Sequence, residues 1–489
     1  MQNKKRISSC TTILIGKNAS YDGSTLMARA EDISEGFNPK KHIVIKPSSQ
    51  PKKYKSKNSS LEIDLPDNPL QYTSKPDALE EQGIFGEAGI NYLNIAMTAT
   101  ETITTNERIL GADPFASNDI GEEDFLTIVL PYIKTAKEGV LRLGELIEKY
   151  GTYEANGIGF QDKNEIWYME TIGGHHFIAK RIPDDEYAVC PNWLNIDYFD
   201  FTDAFGEQKN HICSKDLIDF IQNNFLNLDF NTKKDLYKEK RFNTKLTFGS
   251  RTDKDKYYNS PRAWFMLKYF NPKYIKNNNL TPESNNLPCS LQPEKKITIE
   301  DIKYILSSHY QLTKYDPYVK YGDLAYKNKY RTIGYNQNCE LTLTQIRNDL
   351  SDEIKAIEWI AFGPNHFNVF IPQYSRVNDT NKYLKELTNE VNTDNFYWIN
   401  RIISALADRY YDETKFLIEK YQNLIDQKSH EFINKFDREF NNKKVDEKNL
   451  EEANDKIVEF VKKETNKLLR DILFISSLNM KNSFSRADI

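Results

Sequence analysis

Residues 10–32 read CTTILIGKNASYDGSTLMARAED and predict two strands joined by a turn. The run TTILI after Cys10 is rich in β-branched residues, which favour strands. The Asp-Gly pair in YDGS is typical of a turn, and TLMAR then resumes an extended pattern. The stretch therefore predicts an N-terminal hairpin with Cys10 at the start of its first strand and Arg29 and Asp32 on or after its second.

The rest of the chain predicts further antiparallel strands followed by helices. Residues 157–190 contain four short apolar runs separated by turn residues, which predicts a meander. Apolar residues at helical spacing over residues 122–150 predict one long helix that stops at Gly151. The 117 residues after Pro372 contain neither Pro nor Gly, and their apolar residues recur on one helical face. The fold class is therefore α+β with a helical C-terminal region.

Composition excludes several classes of protein. With 39% hydrophobic and 28% charged residues in 489, the chain is neither disordered nor an integral membrane protein. Its net charge of −5 disfavours nucleic acid as a partner, since proteins that bind phosphate groups usually have an excess of basic residues. No apolar run approaches the roughly 18–20 residues that span a bilayer, and no secretory signal is present. We expect a cytoplasmic protein without membrane contact.

Metal and cofactor sites are not predicted. The five cysteines form no CxxC pair, and the chain contains neither a GxxxxGK[ST] nor an HExxH motif. His175 and His176 are adjacent on an expected hairpin, where neighbouring side chains face opposite sides and cannot easily share an ion. We therefore expect no metal and no organic cofactor.

Cys10 admits two interpretations from the residues alone. A cysteine at the start of a strand is usually a small buried apolar residue. Removal of the short polar leader before it, however, would give Cys10 a free α-amine, whose pKa near ~7.7–8.0 lets it accept the thiol proton. Arg29 on the return strand would then favour the thiolate. One residue would supply both nucleophile and base, so no catalytic histidine is required.

The chain resembles the N-terminal nucleophile (Ntn) hydrolase dipeptidases, of the dipeptidase A type of lactic acid bacteria. The resemblance runs in order from Cys10 into the 370s and continues more weakly through FYWINRI (396–402). It is carried by residues 10–32 and by LGADPF (110–115), DIGEEDFLTIVLPYIKTAKEGV (119–140), residues 150–189, NSPRAWFMLKYFNP (259–272) and WIAFGPNHFNVFIPQY (359–374). More distant relatives are bile salt hydrolase, penicillin V acylase and the secernins.

The resemblance implies a four-layer αββα sandwich of two antiparallel sheets between helical layers. It implies a leader at residues 1–9 that is removed on maturation, a catalytic domain over residues 10–375, and a helical region over 376–489 packed on it. Hydrolysis of dipeptides is the implied activity, with small peptides as the substrates, and we expect a homo-oligomer.

The resemblance also implies roles for individual residues. Cys10 is the nucleophile, Arg29 and Asp32 assist it, Asn192 in CPNWLN is the oxyanion donor, and Arg262 is a further catalytic residue. Where relatives place a second oxyanion Asn, this chain has Glu101, which is expected to bind a substrate ammonium group instead. Each has a structural alternative: an ion-pair partner for Arg29, a turn cap for Asp32, a loop amide for Asn192, a sheet tether for Arg262 and a purely structural carboxylate for Glu101.

Two rival functions stay open at this stage. An amidase of the bile salt hydrolase or penicillin V acylase type would need an apolar pocket where a dipeptidase needs a carboxylate. A secernin-like protein would keep the fold without catalysis and would retain its original N-terminus.

Overall fold

The structure is a computed structural model that describes residues 8–33, 36–78, 86, 88–229, 235–388, 390–441 and 443–481, with backbone alone at 8, 9 and 99–101. Its strands, in chain order, are β1 Ser8–Ile15, β2 Thr25–Ile33, β3 Ile43–Ile45, β4 Lys53–Lys55, β5 Glu62–Asp64, β6 Tyr72–Ser74, β7 Ala88–Ile90, β8 Ala96–Thr102, β9 Asn156–Gln161, β10 Ile166–Thr171, β11 Phe177–Ile182, β12 Tyr187–Cys190, β13 His211–Cys213, β14 Ser290–Leu291, β15 Asn338–Ile346, β16 Ala356–Phe362 and β17 Ile371–Tyr374.

Helices follow or separate these strands and dominate the last hundred residues. They are α1 Glu107–Ala112, α2 Phe125–Val129, α3 Ala136–Tyr150, α4 Phe201–Ala204, α5 Leu217–Asn223, α6 Thr244–Phe248, α7 Asp253–Tyr258, α8 Ser260–Phe270, α9 Pro272–Asn277, α10 Ile299–Leu306, α11 Lys382–Lys385, α12 Phe396–Arg409, α13 Tyr411–Phe440 and α14 Glu447–Leu478. The predicted helical C-terminal region is confirmed.

Two large antiparallel sheets organise the molecule. The seven-stranded sheet has the order β14-β12-β1-β2-β15-β16-β17, and the six-stranded sheet has the order β13-β11-β10-β9-β8-β7. The predicted N-terminal hairpin is the β1–β2 pair, with Cys10 opposite Glu31 and Thr12 opposite Arg29. Because β12 and β15 flank this hairpin, it lies in the interior of its sheet.

Buried apolar residues form three clusters. One joins a face of the seven-stranded sheet to α8, α10 and the three C-terminal helices α12–α14. A second contains residues of both sheets, among them Leu14 and Met27 from the hairpin and Tyr168 from β10. The third joins the six-stranded sheet to α2 and α3. Each large sheet therefore has apolar packing on two faces, and this explains why β2, β10 and β15 are buried along their whole length.

The structure departs from the sequence prediction in two places. The predicted meander breaks up after β11, because β12 pairs with β1 in the other sheet. The single helix predicted over residues 122–150 is two helices, α2 and α3, separated by a short 3-10 turn that contains Pro131. Proline lacks the N–H that a continuous helix needs at this position, and its ring clashes with the preceding turn.

Candidate active site

The β1–β2 register brings Cys10 and Arg29 together. Side chains directly opposite each other share a face, and a long side chain reaches its diagonal neighbour. Arg29 lies opposite Thr12 and two residues before Glu31, so it extends diagonally to Cys10. Its Nη2 lies 2.6 Å from the Cys10 Sγ, and both residues are buried. The hairpin therefore places a guanidinium in direct contact with the thiol.

Carboxylates and a lysine surround Arg29 within the protein. Glu31 Oε2 lies 3.9 Å from Arg29 Nη1, and Glu122 Oε1 lies 4.0 Å from Nη2. Lys40 contacts both Glu31 at 2.8 Å and Asp77 at 2.7 Å. Such pairing offsets the cost of removing charged groups from water, so the side chains can stay ionised when buried. The network fixes the orientation of Arg29 beside the thiol.

Arg262, at the start of α8, links Cys10 on β1 to Asn192 and Asn259 by hydrogen bonds. Its Nη1 donates to the Cys10 carbonyl at 2.6 Å and to Thr11 Oγ1 at 2.8 Å. Its Nη2 donates to Asn192 Oδ1 and Asn259 Oδ1, each at 2.7 Å. These acceptors are carbonyl, hydroxyl and amide oxygens, so the described contacts of Arg262 act on the position of the Cys10 backbone and of Asn192.

Asn192 lies two residues after β12 and has a defined amide orientation. Arginine can only donate, so the oxygen of the amide faces Arg262. The amide nitrogen then faces the other way and donates to the Thr102 carbonyl at the end of β8 at 3.0 Å. An Asn nitrogen carries two N–H groups, which leaves it a second donor.

Asp32 lies at the same end of the hairpin as Cys10, opposite Ser9 in the β1–β2 pairing. Its carboxylate accepts hydrogen bonds from the Arg331 guanidinium and from the Asn338 side-chain amide. Burial lowers the pKa of Arg331, while the neighbouring Tyr335 and Cys10 offset part of that effect. The structure thus brings Cys10, Arg29, Asn192 and Arg262 together by direct contacts. Asp32 lies on β2, at the end of the hairpin where Cys10 lies.

The catalytic and binding roles of all the predicted site residues stay predictions, and for Glu101 the structure describes the backbone alone. Its backbone belongs to β8 and pairs with Gly157, after a register shift that follows Thr98. Its side chain lies outside the described part of the structure.

Four residues near the site were absent from the sequence prediction: Glu122, Asn259, Arg331 and Asn338. Glu122 had a visible signal, because it opens an acidic triplet inside one of the stretches that carry the family resemblance. Asn259 opens another of those stretches and contacts Arg262. Arg331 and Asn338 are polar residues without local pattern, and only the folded chain brings them to Asp32.

Within the described ranges, no three His, Cys, Asp or Glu side chains are arranged to hold a metal ion. The two adjacent histidines differ in burial as expected, since His176 is buried and His175 is exposed. His175 and His176 both contact the Asp113 carboxylate, with ring nitrogens at 3.0 and 2.7 Å, because they precede β11 and lie in its turn.

Among the described helices, none combines the length and apolar character that crossing a bilayer demands.

Comparison with known proteins identifies the family. The model of peptidase family C69 matches residues 9–424. The chain belongs to this family. It is therefore a peptide-bond hydrolase, and the predicted resemblance is confirmed at the family level.

Curated relatives of this C69 peptidase are similar along its length. It is 46% identical to a protein named dipeptidase from Bifidobacterium longum, over 98% of this chain and 99% of the relative. It is 48% identical to probable dipeptidase A of Streptococcus pyogenes serotype M18, over the whole of both chains. Dipeptidase A of Lactobacillus helveticus is 47% identical over 82% of each chain.

Proposed function

We propose that this C69 peptidase hydrolyses dipeptides with Cys10 as an N-terminal nucleophile. The observation that carries the proposal is the 2.6 Å contact between the Cys10 thiol and the Arg29 guanidinium. A neighbouring cation favours the thiolate, which is the nucleophilic form. The dipeptidase names of full-length relatives supply the substrate class.

The proposed reaction begins with a proton transfer within one residue. The α-amine of mature Cys10 takes the thiol proton, and Sγ attacks the scissile carbonyl carbon. The Asn192 Nδ2–H and a backbone N–H stabilise the resulting oxyanion, each donor contributing roughly 2.7–4 kcal/mol in the transition state. Collapse of this intermediate breaks the C–N bond, and the leaving amine takes the proton back from the α-ammonium. Water, deprotonated by the same amine, then hydrolyses the thioester.

The remaining predicted residues position these groups. Asp32 orients the α-amine, which its place opposite Ser9 supports, because Ser9 directly precedes Cys10. Arg262 holds the Cys10 carbonyl and the Asn192 amide in fixed relation. No step of this scheme requires a metal or an organic cofactor.

The proposal includes the maturation and the architecture predicted from sequence. Residues 1–9 are removed so that Cys10 becomes the N-terminus. The two sheets and their helices form an αββα Ntn-hydrolase sandwich over residues 10–375, with residues 376–489 as a helical region packed on it. Shared clusters of the sheets with each other and with the helices support this arrangement. The cytoplasmic location and a homo-oligomeric state stay predictions.

The rival is an acylase of the bile salt hydrolase type, with the same nucleophile and a different pocket. Carboxylates close to Cys10 favour a substrate that carries a positive charge, as a dipeptide does at its free amine. A secernin-like protein without activity is disfavoured by membership of a peptidase family.

Exchange of the nucleophile tests the proposal. Cys10→Ser replaces a thiol of pKa ~8.5 with a hydroxyl that barely ionises at neutral pH, so dipeptide turnover should fall sharply while the fold persists. The matched controls are serine variants of the other buried cysteines, which should retain activity: Cys190, Cys213, Cys289 and Cys339. Wild-type turnover by correctly processed Cys10→Ser would exclude the thiol as nucleophile.

A further inference from the structure

An acidic triplet, Glu122, Glu123 and Asp124, lies directly before α2 and is almost completely buried. Two of its members have structural hydrogen bonds. Asp124 accepts from the Tyr54 hydroxyl at 2.6 Å and from a backbone N–H at 2.8 Å. Glu123 accepts from the Tyr153 hydroxyl at 2.6 Å and from a serine hydroxyl at 3.3 Å. The carboxylate of the third member, Glu122, lies beside Thr102 and Arg29 instead.

Glu122 is held beside the nucleophile. Its Oε2 accepts from the Thr102 hydroxyl at 3.1 Å, and its backbone N–H donates to the Glu154 carboxylate at 3.1 Å. Its Oε1 lies 4.0 Å from Arg29 Nη2, the same nitrogen that lies 2.6 Å from the Cys10 Sγ. Since the two distances share one atom, Oε1 and Sγ are at most 2.6 plus 4.0, or 6.6 Å, apart.

This spacing matches the free amine of a dipeptide. The amine nitrogen of the first residue is separated from the scissile carbonyl carbon by one Cα, which sets them about 2.5 Å apart. A reacting sulfur approaches that carbon to roughly 3–3.5 Å, and a charge-assisted hydrogen bond spans about 2.7–2.9 Å. A bent chain of these three distances is compatible with an Sγ–Oε1 separation of at most 6.6 Å.

The two other described carboxylates closest to Cys10 along the hairpin have different environments. Asp32 accepts hydrogen bonds from Arg331 and Asn338. Glu31 contacts Lys40 at 2.8 Å and is fully buried, whereas Glu122 keeps 5% of its surface exposed.

We propose that Glu122 binds the α-ammonium group of the substrate and thereby selects peptides with a free N-terminus at the residue before the scissile bond. This rests on the proposed function, because it places the dipeptide on Cys10. It assigns to Glu122 the ammonium-binding role that was expected of Glu101 from the family resemblance. It also gives the acidic triplet a function beyond its structural hydrogen bonds.

The test compares two substrates, alanyl-alanine and propionyl-alanine, which differ only in the presence of the amine. The wild-type enzyme should prefer alanyl-alanine strongly in kcat/KM. Glu122→Gln should lower kcat/KM for alanyl-alanine by roughly 10- to 100-fold, the range for one charged hydrogen bond, and lower kcat/KM for propionyl-alanine by less, so that the preference between the two substrates shrinks. Glu123→Gln removes the same charge one residue away and should keep the wild-type preference. Glu122→Asp, which keeps the charge, should retain part of the preference for alanyl-alanine.

Equal losses for both substrates in Glu122→Gln would overturn the proposal, because they would indicate a purely structural role beside Arg29. Wild-type enzyme that cleaves both substrates equally would overturn it without any variant, which covers the case of a variant that does not fold. Wild-type enzyme that cleaves propionyl-alanine and not alanyl-alanine would instead refute the dipeptidase function itself.

Discussion

Replacement of Arg262 by methionine tests how far the site depends on one buried guanidinium. Arg262 donates to the Cys10 and Tyr258 carbonyls at 2.6 and 2.8 Å and to side-chain oxygens of Thr11, Asn192 and Asn259 at 2.7–2.8 Å. Methionine fills a similar volume but leaves these acceptors without their donor.

The magnitude follows from the balance of two opposing terms. Hydrogen bonds to a charged donor contribute roughly 1.5–3 kcal/mol each, while desolvation of the guanidinium costs several kcal/mol. We therefore expect Arg262→Met to lower the free energy of unfolding by about 3–5 kcal/mol, because several buried acceptors lose their donor at roughly 1–3 kcal/mol each while the desolvation cost of the guanidinium is relieved. Displacement of the reacting groups by 1 Å costs on the order of 100-fold, so kcat/KM for a dipeptide should fall by at least that factor.

The assays are urea unfolding followed by circular dichroism, and dipeptide hydrolysis by the folded fraction. Arg262→Lys keeps the charge without the planar fork and should fall between wild type and Arg262→Met. The matched control is Arg142→Met, which removes a half-buried arginine that donates to the Ile128 carbonyl on α2. Arg262→Met with the activity of Arg142→Met would refute the reasoning.

Two further predictions concern pH and metal ions. Burial raises the pKa of Glu170 to about 8, above its ordinary value of 4.5. The folded state thus holds a proton that the unfolded state releases, and stability should decrease as pH rises between about 4.5 and 8. Glu170→Gln should flatten this decrease in unfolding midpoints measured across that window; an unchanged slope would contradict the assignment. Secondly, EDTA should leave dipeptide hydrolysis intact while thiol alkylation abolishes it, and activity lost in EDTA and restored by zinc would count against the mechanism.

The sequence predicted the hairpin at the centre of the site because its signals are local. A β-branched run, an Asp-Gly turn and a resumed extended pattern lie within 23 residues and predict the β1–β2 pair, whose register the structure shows. The contact of Arg29 with Cys10 is a consequence of that register. The C-terminal helices were equally readable from one continuous apolar face.

Other features depend on long-range packing that no local pattern records. The turn after β11 does not reveal whether the next strand pairs with its predecessor, and here it pairs with β1. Asp32 and its partner Arg331 are 299 residues apart in the chain. The division of the predicted helix over 122–150 was readable, since Pro131 lies within it and proline disrupts a helix interior.

The N-terminus of the active enzyme tests the central claim most directly. Mass spectrometry of the intact, active protein should give a chain that begins at Cys10, because only then does the nucleophile carry its own α-amine. Loss of residues 1–9 removes Lys4, Lys5 and Arg6 and no acidic residue, so the net charge should also move from −5 to −8. A fully active enzyme that retains residues 1–9 would contradict the account.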